Sequence, residues 1–495
     1  MIVHINHISL KGKTAKKSQL GELASLVAGS LVDLVESGQL DSRVAPSLRV
    51  HLDWIQYKTN FRDPVIVRRT TDANGRSLPL AEVAIDLRQC QAEMLPRQLA
   101  DAARLVSPNA TGDGRFYLTE YRPFRDCIIW DFNRLFWRHL GDWEAASGRG
   151  FEAALPSGSS DANRPEAVKE SVEEFWNLLK DLESKNQLPA ELPILEIGVG
   201  AGTRAAAFID LFQEYDAQRG TQYYDRLQFI LGDYSPDTLA RACASLGRHK
   251  DHIVPSPLDA LNPFKALPQY RFKVLYVHLT NVYDNLPFDD LIRRDGHLYL
   301  VEVRAYFSAA SVAKLEADFG IGAADIPWAM KALLAGGPQA VFPPGTPDSE
   351  AKGIAFWRAF WDHFRLEERL RALDDRDESH VPPGLTWAHL QDLLDEAPED
   401  VRFHISRGAA ESFANTLPLL HPRGYLQVQD IFVEGMDEYR KGFKGPGKLD
   451  GSLVVWVNGA LLRAVGGRAG YDVHFRPFTY RPGSKTSVMY TTQKP

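Results

Sequence analysis

The chain of 495 residues has only three cysteines, Cys90, Cys127 and Cys243, spread too widely for a disulfide framework or a cysteine-built metal site. It lacks any uninterrupted run of about 18 apolar residues, the length a membrane-spanning helix needs, so no membrane span is expected. A positive balance is missing too: 57 Lys and Arg stand against 64 Asp and Glu, for a net charge of -7. Broad nucleic-acid binding is therefore not expected. The opening MIVHINHISLKGKTAKK has no apolar signal core. The strand-like run Ile2 to Leu10 argues against reading Lys11 to Lys17 as part of an organellar presequence, and a cytoplasmic location is expected. No His/Asp/Glu spacing resembles a metal ligand set, so no metal is implied.

What is present is organised around Leu192 to Gly202, LPILEIGVGAG. Ile194, Leu195 and Ile197 form a short, continuous apolar run, the pattern of a buried parallel strand. Glu196 lies near its end, and Gly198, Gly200 and Gly202 lead into a helical stretch from Thr203 to Tyr215. Glycines at a strand-to-helix turn let backbone approach a ligand where a Cβ would collide. The helix N-terminus behind them offers free N–H groups. The spacing is G-x-G-x-G, with Thr203 in the slot of the dinucleotide pattern's third glycine. A nicotinamide oxidoreductase is disfavoured on that ground, and a tight turn without a ligand is the plain alternative.

Further strands follow at the intervals of an α/β fold. Leu227 to Leu231 is a second buried strand ending at Gly232-Asp233, where a carboxylate is placed to accept hydrogen bonds from ribose hydroxyls. Ser235 and Pro236 then open a helix as N-cap and first helical residue. A short third strand lies around His252 to Val254, with Asp259 in the loop beyond it. Phe272 to Leu279 is the fourth strand. Asn281, Tyr283 and Asp284 follow at its carboxyl end, the edge where open α/β sheets bind ligands, and are the candidates to face a reacting group. Near the end of the chain, Gly424 to Val433, Tyr471 to Tyr480 and Thr486 to Thr492 read as three more strands.

Five domain segments emerge. Residues 1–106 read as an N-terminal α+β accessory domain: a helix from Ser18 to Ser37, strands at Ser47 to Lys58, Val65 to Thr71 and Leu80 to Leu87, and a helix from Arg88 to Val106. Asn74-Gly75 marks a hairpin turn between the last two strands. Residues 107–165 begin with a Gly/Asn/Ser-rich link and are then crowded with aromatics, among them Trp130, Phe136, Trp137 and Trp143. They pack on the main domain, wall a substrate cleft or form a protein-docking surface. Residues 166–307 and 406–495 form the main domain, in which Leu291 to Phe307 reads as a hairpin around Asp295-Gly296. Residues 308–405 form a largely helical insertion, with WAMKALLA, IAFWRAFWDHFRLEERLRAL and TWAHLQDLLDEA as its clearest helices. Next to the ligand edge it suits a lid or specificity element, and packing alone is the plain alternative.

The acidic residue followed by G-x-G-x-G resembles the first motif of class I S-adenosyl-L-methionine (SAM) methyltransferases. EIGVGAG, GDYSP, VYDNLP, IRRDG and GYLQVQDIF occur in the order seen in the MidA-like methyltransferases, which include a mitochondrial complex I assembly factor that methylates an arginine of a partner subunit. The resemblance covers roughly residues 166–307 and 406–495. It implies a Rossmann-like sheet of seven strands, mostly parallel with the last antiparallel. It further implies SAM as cofactor, held by Glu196, Gly198, Gly200, Gly202 and Asp233, with Asp259 near the adenine. Asp284, Leu286 and Pro287 match the family's D-x-L-P. Thr280 and Asn281 stand where the family has Asn-Glu, so the glutamate that binds a guanidinium is missing. The expected function is methyl transfer to a protein side chain; a small-molecule acceptor and a non-catalytic assembly protein are the alternatives.

Overall fold

The computed structural model describes residues 2–6, 17–41, 48–53, 57, 59–86, 88–106, 114–155, 157–343, 345–346, 348–374, 378–441 and 444–495. The expected features at 7–16, at 54–56 and in most of the link 107–113 lie outside these residues.

Seven strands form one sheet: β1 (Leu192–Ile197), β2 (Leu227–Asp233), β3 (Ile253–Pro257), β4 (Val274–Thr280), β5 (Leu420–Asp430), β6 (Tyr471–Pro477) and β7 (Ser487–Gln493). Their order across the sheet is β3-β2-β1-β4-β5-β7-β6. All pairs are parallel except those of β7, which runs against both β5 (Val428 opposite Met489) and β6 (Val473 opposite Thr491). This is the mostly parallel α/β sheet that the sequence implied. All six residues of β1 are buried, because both faces are covered. Phe175, Phe208 and Phe212 from helices Pro165–Ser184 and Thr203–Arg219 pack on one face. Phe413, Leu462 and Val465 from helices Arg407–Thr416 and Gly459–Arg468 pack on the other. Strand order reverses between β1 and β4, and a crevice at such a point, beyond the carboxyl ends, is where ligands bind.

The second sheet has ten strands and differs from expectation. Strands Ile2–Asn6, Leu48–Asp53, Val65–Thr71 and Ser77–Asp86 do not close on themselves. Val65–Thr71 pairs in parallel with Arg365–Ala372, which pairs with His297–Ser308, then Asp289–Arg294 and Val401–Ile405. The hairpin around Asp295-Gly296 forms as read, with both turn residues at positive φ. It stands in this second sheet and not beside the seven strands. The stretch IAFWRAFWDHFRLEERLRAL is not one helix: the helix ends at His363 and Arg365–Ala372 is a strand. The reason lies in its period. Leu366, Glu368 and Leu370 alternate with Arg365, Glu367, Arg369 and Arg371, and cross-strand acids accept from the arginines, Glu302 from Arg369 (2.6 Å) and Arg371 (2.9 Å).

Ion pairs link the strands of the ten-stranded sheet. Arg68 Nε donates to Glu368 (2.5 Å), and Arg402 donates to both Asp290 (2.9 Å) and Glu368 (3.0 Å). Arg294 reaches Glu82 four strands away. The chain leaves the first sheet after Pro287 and returns at Gly408, whose N–H donates to Pro287 O at 2.6 Å. A Cβ on Gly408 would stand 2.9 Å from Leu286 and Pro287, so glycine permits this approach.

Candidate functional site

A cavity lies over the carboxyl ends of β1, β2 and β4. Its floor is built by the strand ends. Gly198, Gly200 and Gly202 all hold positive φ, so the turn after β1 takes a course that other residues strain to follow. A Cβ on Gly200 would meet nothing within 4 Å, so at this point the backbone itself faces open space. Gly198 instead packs against Val282 (2.7 Å from a notional Cβ), and Gly202 against Ser245 and Ala242 of the helix after β2. Gly198 and Gly200 line the cavity, whereas Gly202 serves helix packing and does not.

The acidic residues divide by partner. Glu196 is buried and ion-paired with Arg204 (2.8 Å), which also donates to Tyr276 Oη (2.6 Å). Burial pushes the Glu196 carboxyl up against the pull of Arg204. Asp233 accepts from Gly200 N (3.2 Å) on one oxygen and from Ser235 N (3.0 Å) on the other. Each oxygen keeps a lone pair for a further donor. Burial pushes the Asp233 carboxyl up, with the backbone donors opposing it. Asp259 accepts from Leu261 N (2.9 Å) and stands on the lining near Leu258. Ser235 caps its helix as read, accepting from Thr238 N.

Beyond β4 the three candidates part company. Asn281 lines the cavity in a left-handed conformation (φ 52°) that asparagine tolerates well, its N–H donating to Gln429 O (3.0 Å). Tyr283 and Asp284 do not line it. The 3-10 turn Tyr283–Asn285 carries Tyr283 into the core beside Ala409 and Phe413. It also turns Asp284 inward toward Asp430 at the end of β5. There Asp430 accepts from Tyr283 N (2.9 Å) and Asp284 N (3.2 Å), and Asp284 accepts from Asn285 Nδ2 (2.8 Å). Burial raises both carboxyls, Asp284 far above its usual range and Asp430 to about 7, with their mutual repulsion adding to the rise at Asp284. Neither Tyr283 nor Asp284 is in place to touch a molecule in the cavity.

The roof comes from a segment whose role the sequence left open. Helix Ile129–Arg138 is seated on the second sheet and on the insertion: Phe132 stacks on Phe360 (5.0 Å), and Phe136 packs on Trp143 and Trp357. Its other side offers Trp130, Asn133 and Trp137 to the cavity, with Phe151 and Leu155 beyond. None of the described residues of 308–405 lines the cavity, and these residues back the roof and are not themselves the lid. Contacts that join roof to floor include Arg138, which donates to Tyr234 Oη (3.0 Å), and Arg241, which donates to Glu144 (2.9 Å). Asn285 and Asn133 escaped the sequence reading, and Trp137 was read only among aromatics that pack or wall a cleft, since nothing local marks residues that meet only through the fold.

Among the described residues no group of His, Cys, Asp and Glu is arranged to hold a metal ion, and no helix is long and apolar enough to cross a membrane. No protein-family profile matches the chain, and no curated protein matches it. Among solved structures, a Burkholderia thailandensis protein, a candidate methyl transferase bound to S-adenosyl-homocysteine, is 14% identical over 75% of this chain and 88% of its own, with a TM-score of 0.44. The CcbJ methyltransferase of Streptomyces caelestis is 12% identical over 67% of this chain and 98% of its own, at 0.30. Magnesium protoporphyrin IX methyltransferase from Synechocystis, with bound SAM, is 9% identical over 74% of this chain and 97% of its own, at 0.31. At such scores these likenesses add no weight to the strand order read directly from the sheet: the chain has the α/β fold of seven strands in the order β3-β2-β1-β4-β5-β7-β6.

Proposed function

We propose that the protein is a SAM-dependent methyltransferase working in this cavity. The observation that carries the reading is one juxtaposition: the open backbone at Gly200 and the carboxylate of Asp233 face the same space beside the β1/β4 reversal. Those residues fit the cofactor. Asp233 would take the ribose hydroxyls, the loop 198–201 the amino-acid part, and Asp259 with Leu258 and Leu261 the adenine. SAM has no pyrophosphate, which agrees with a turn that lacks the dinucleotide glycine at Thr203.

Bound SAM supplies a methyl group on a sulfonium, an electrophile that needs a positioned nucleophile more than it needs acid or base help. The chain's part is to orient the acceptor at the end of β4 and to exclude water with the roof. Of the acceptors raised by the sequence, a small molecule is better supported than a protein side chain, because the segment 130–163 roofs the cavity. Calorimetric titration with SAM, S-adenosylhomocysteine and NAD tests the assignment. Binding of the first two alone is expected; binding of NAD alone, or of none, would overturn it. Labelled methyl from SAM should then appear in the low-mass fraction of a cell extract and not in protein.

A further inference from the structure

We infer that the acceptor is a neutral, flat aromatic compound that presents an O–H or N–H group to the Asn281 amide, and not a guanidinium or other cation. This rests on the methyltransferase reading and extends it to the substrate class.

Beside the end of β4 the cavity is walled largely by aromatic rings. Trp130 Nε1 donates to Phe124 O (2.7 Å) and Trp137 Nε1 to Asn285 Oδ1 (3.3 Å). With both donors engaged by protein, the two indoles present carbon to the cavity. Phe151, 5.0 Å from Trp137 and edge-on to it, extends that apolar wall. Ring surfaces so arranged favour another ring, offset-stacked or edge-to-face.

The polar groups nearby are spent. Asn133 donates to Asn285 O (3.1 Å) and accepts from Leu453 N (3.2 Å). Asn285 donates to Asp284, and Thr280 Oγ1 pairs with His278 Nε2 (2.7 Å). Among the described residues the side chain of Asn281 finds no hydrogen-bond partner, yet it lines the cavity. It can both donate and accept, which suits a hydroxyl or an amine.

Charge completes the case. The carboxylates on the lining are Glu152, Glu196, Asp233 and Asp259. Glu196 is paired with Arg204, and Asp233 and Asp259 lie at the floor's other strand ends. Glu152 accepts from Asn163 Nδ2 (2.8 Å) and holds the roof's own loop. Nothing at the end of β4 would neutralise a buried cation, and an unpaired buried charge is costly.

The test is calorimetry on the full chain saturated with S-adenosylhomocysteine, using 2-naphthol and 4-hydroxybiphenyl as neutral probes and agmatine and N-acetylarginine amide as cations. The neutral probes should bind and the cations should not. Asn281→Gly keeps the positive φ while removing the amide, and should weaken the neutral probes by about fivefold with S-adenosylhomocysteine affinity unchanged. Asn281→Asp should gain agmatine binding. Tighter binding of the cations to the unaltered protein, binding of neither class, or indifference of the neutral probes to Asn281→Gly would each overturn the inference. Failure of the unaltered protein to bind S-adenosylhomocysteine is seen before any probe is added; it strikes the cofactor reading first and takes this inference with it.

Discussion

The two sheets are held together by opposite means. The seven-stranded sheet is mainly an apolar stack: β1 is wholly buried, and aromatic and aliphatic side chains cover both faces. Beside a buried cluster of Arg204, Tyr276, His278 and Gln427, it sets Asp233 and Asn281 at its carboxyl ends, on the cavity lining. The ten-stranded sheet carries its polarity inside, as the buried chain Glu82–Arg68–Glu368–Arg402–Asp290 running from strand to strand. A charge inside a sheet fixes which strands lie together, whereas a charge at a sheet's end is free to hold a ligand. One sheet should therefore carry binding and the other mainly shape, and substitutions ought to separate the two.

The largest expected effect is on binding. Gly200→Val places a β-branched side chain at φ 56°, in the space left open to the cavity; SAM affinity should be lost while the folded fraction stays high, measured by calorimetry and circular dichroism. Retained affinity would remove the glycine turn from the site. Next comes a pure stability effect. Glu368→Ala leaves Arg68 and Arg402 short of a buried partner, and should destabilise by about 3–5 kcal/mol in urea unfolding, with SAM affinity of the folded protein unchanged. A fall in affinity as large as that of Gly200→Val would erase the division between the sheets.

Asp233→Ala stands between these cases, because the carboxylate also holds Gly200 N and Ser235 N. Loss of roughly 1–3 kcal/mol in SAM binding is expected from the charged hydrogen bonds, together with a small drop in melting temperature. Binding unaffected by the change would refute the ribose role. The smallest effect belongs to Arg241→Ala. Its contact with Glu144 is partly exposed, so about 0.2–1 kcal/mol is at stake, visible chiefly as faster ligand release in stopped-flow.

Acid and base sharpen the contrast further. Burial pushes the Glu368 carboxyl up, but Arg402, Arg68 and Arg62 together pull it well below the carboxylate range. Its folded-state value is depressed, so its stabilisation is present above the unfolded value and fades as pH falls below it. Asp430 is the reverse case: raised to about 7 from 3.8, it favours the fold when protonated and loses that contribution as pH climbs across this window. At about 1.4 kcal/mol for each tenfold change in proton affinity, the slope is readable by denaturation at successive pH values. Asp284→Asn removes a second carboxyl raised by burial and by Asp430, and should flatten the loss of stability between pH 4 and 7; an unchanged slope would show the pair to be uncoupled.

What the sequence disclosed follows the range over which its signals act. Glu196, Gly198, Gly200 and Asp233 were readable because strand, turn and helix start are local events at each of them. Asn281 was readable from its place after a strand, but the same reasoning misplaced Tyr283 and Asp284: a single 3-10 turn reverses which side of the chain meets the ligand, and no residue spacing announces it. Trp137 and Asn285 come together across 148 positions, so their meeting could not be inferred from either neighbourhood. The second sheet was hidden for the same reason. Arg69 pairs with Arg369, and the parallel join leaves no turn motif between them. The helical reading of 365–372 failed because charges spaced for cross-strand pairing also suit an exposed helix.

The hydrogen bond from Gly408 to Pro287 has a consequence for how the molecule is composed. Residues 288–407 depart and return at one point, so the seven-stranded sheet experiences that whole excursion as a short connection between β4 and its next helix. The entropy of closing a loop grows only slowly with its length, and here the closing contact is supplied by the smaller fold itself. The excursion is thus a graft closed at its base by that contact and seated on the smaller fold where Ser406 and His404 accept from Asn458, the cap of helix Gly459–Arg468; the N-terminal strands, arriving from the far end of the chain, complete the graft and not the stock.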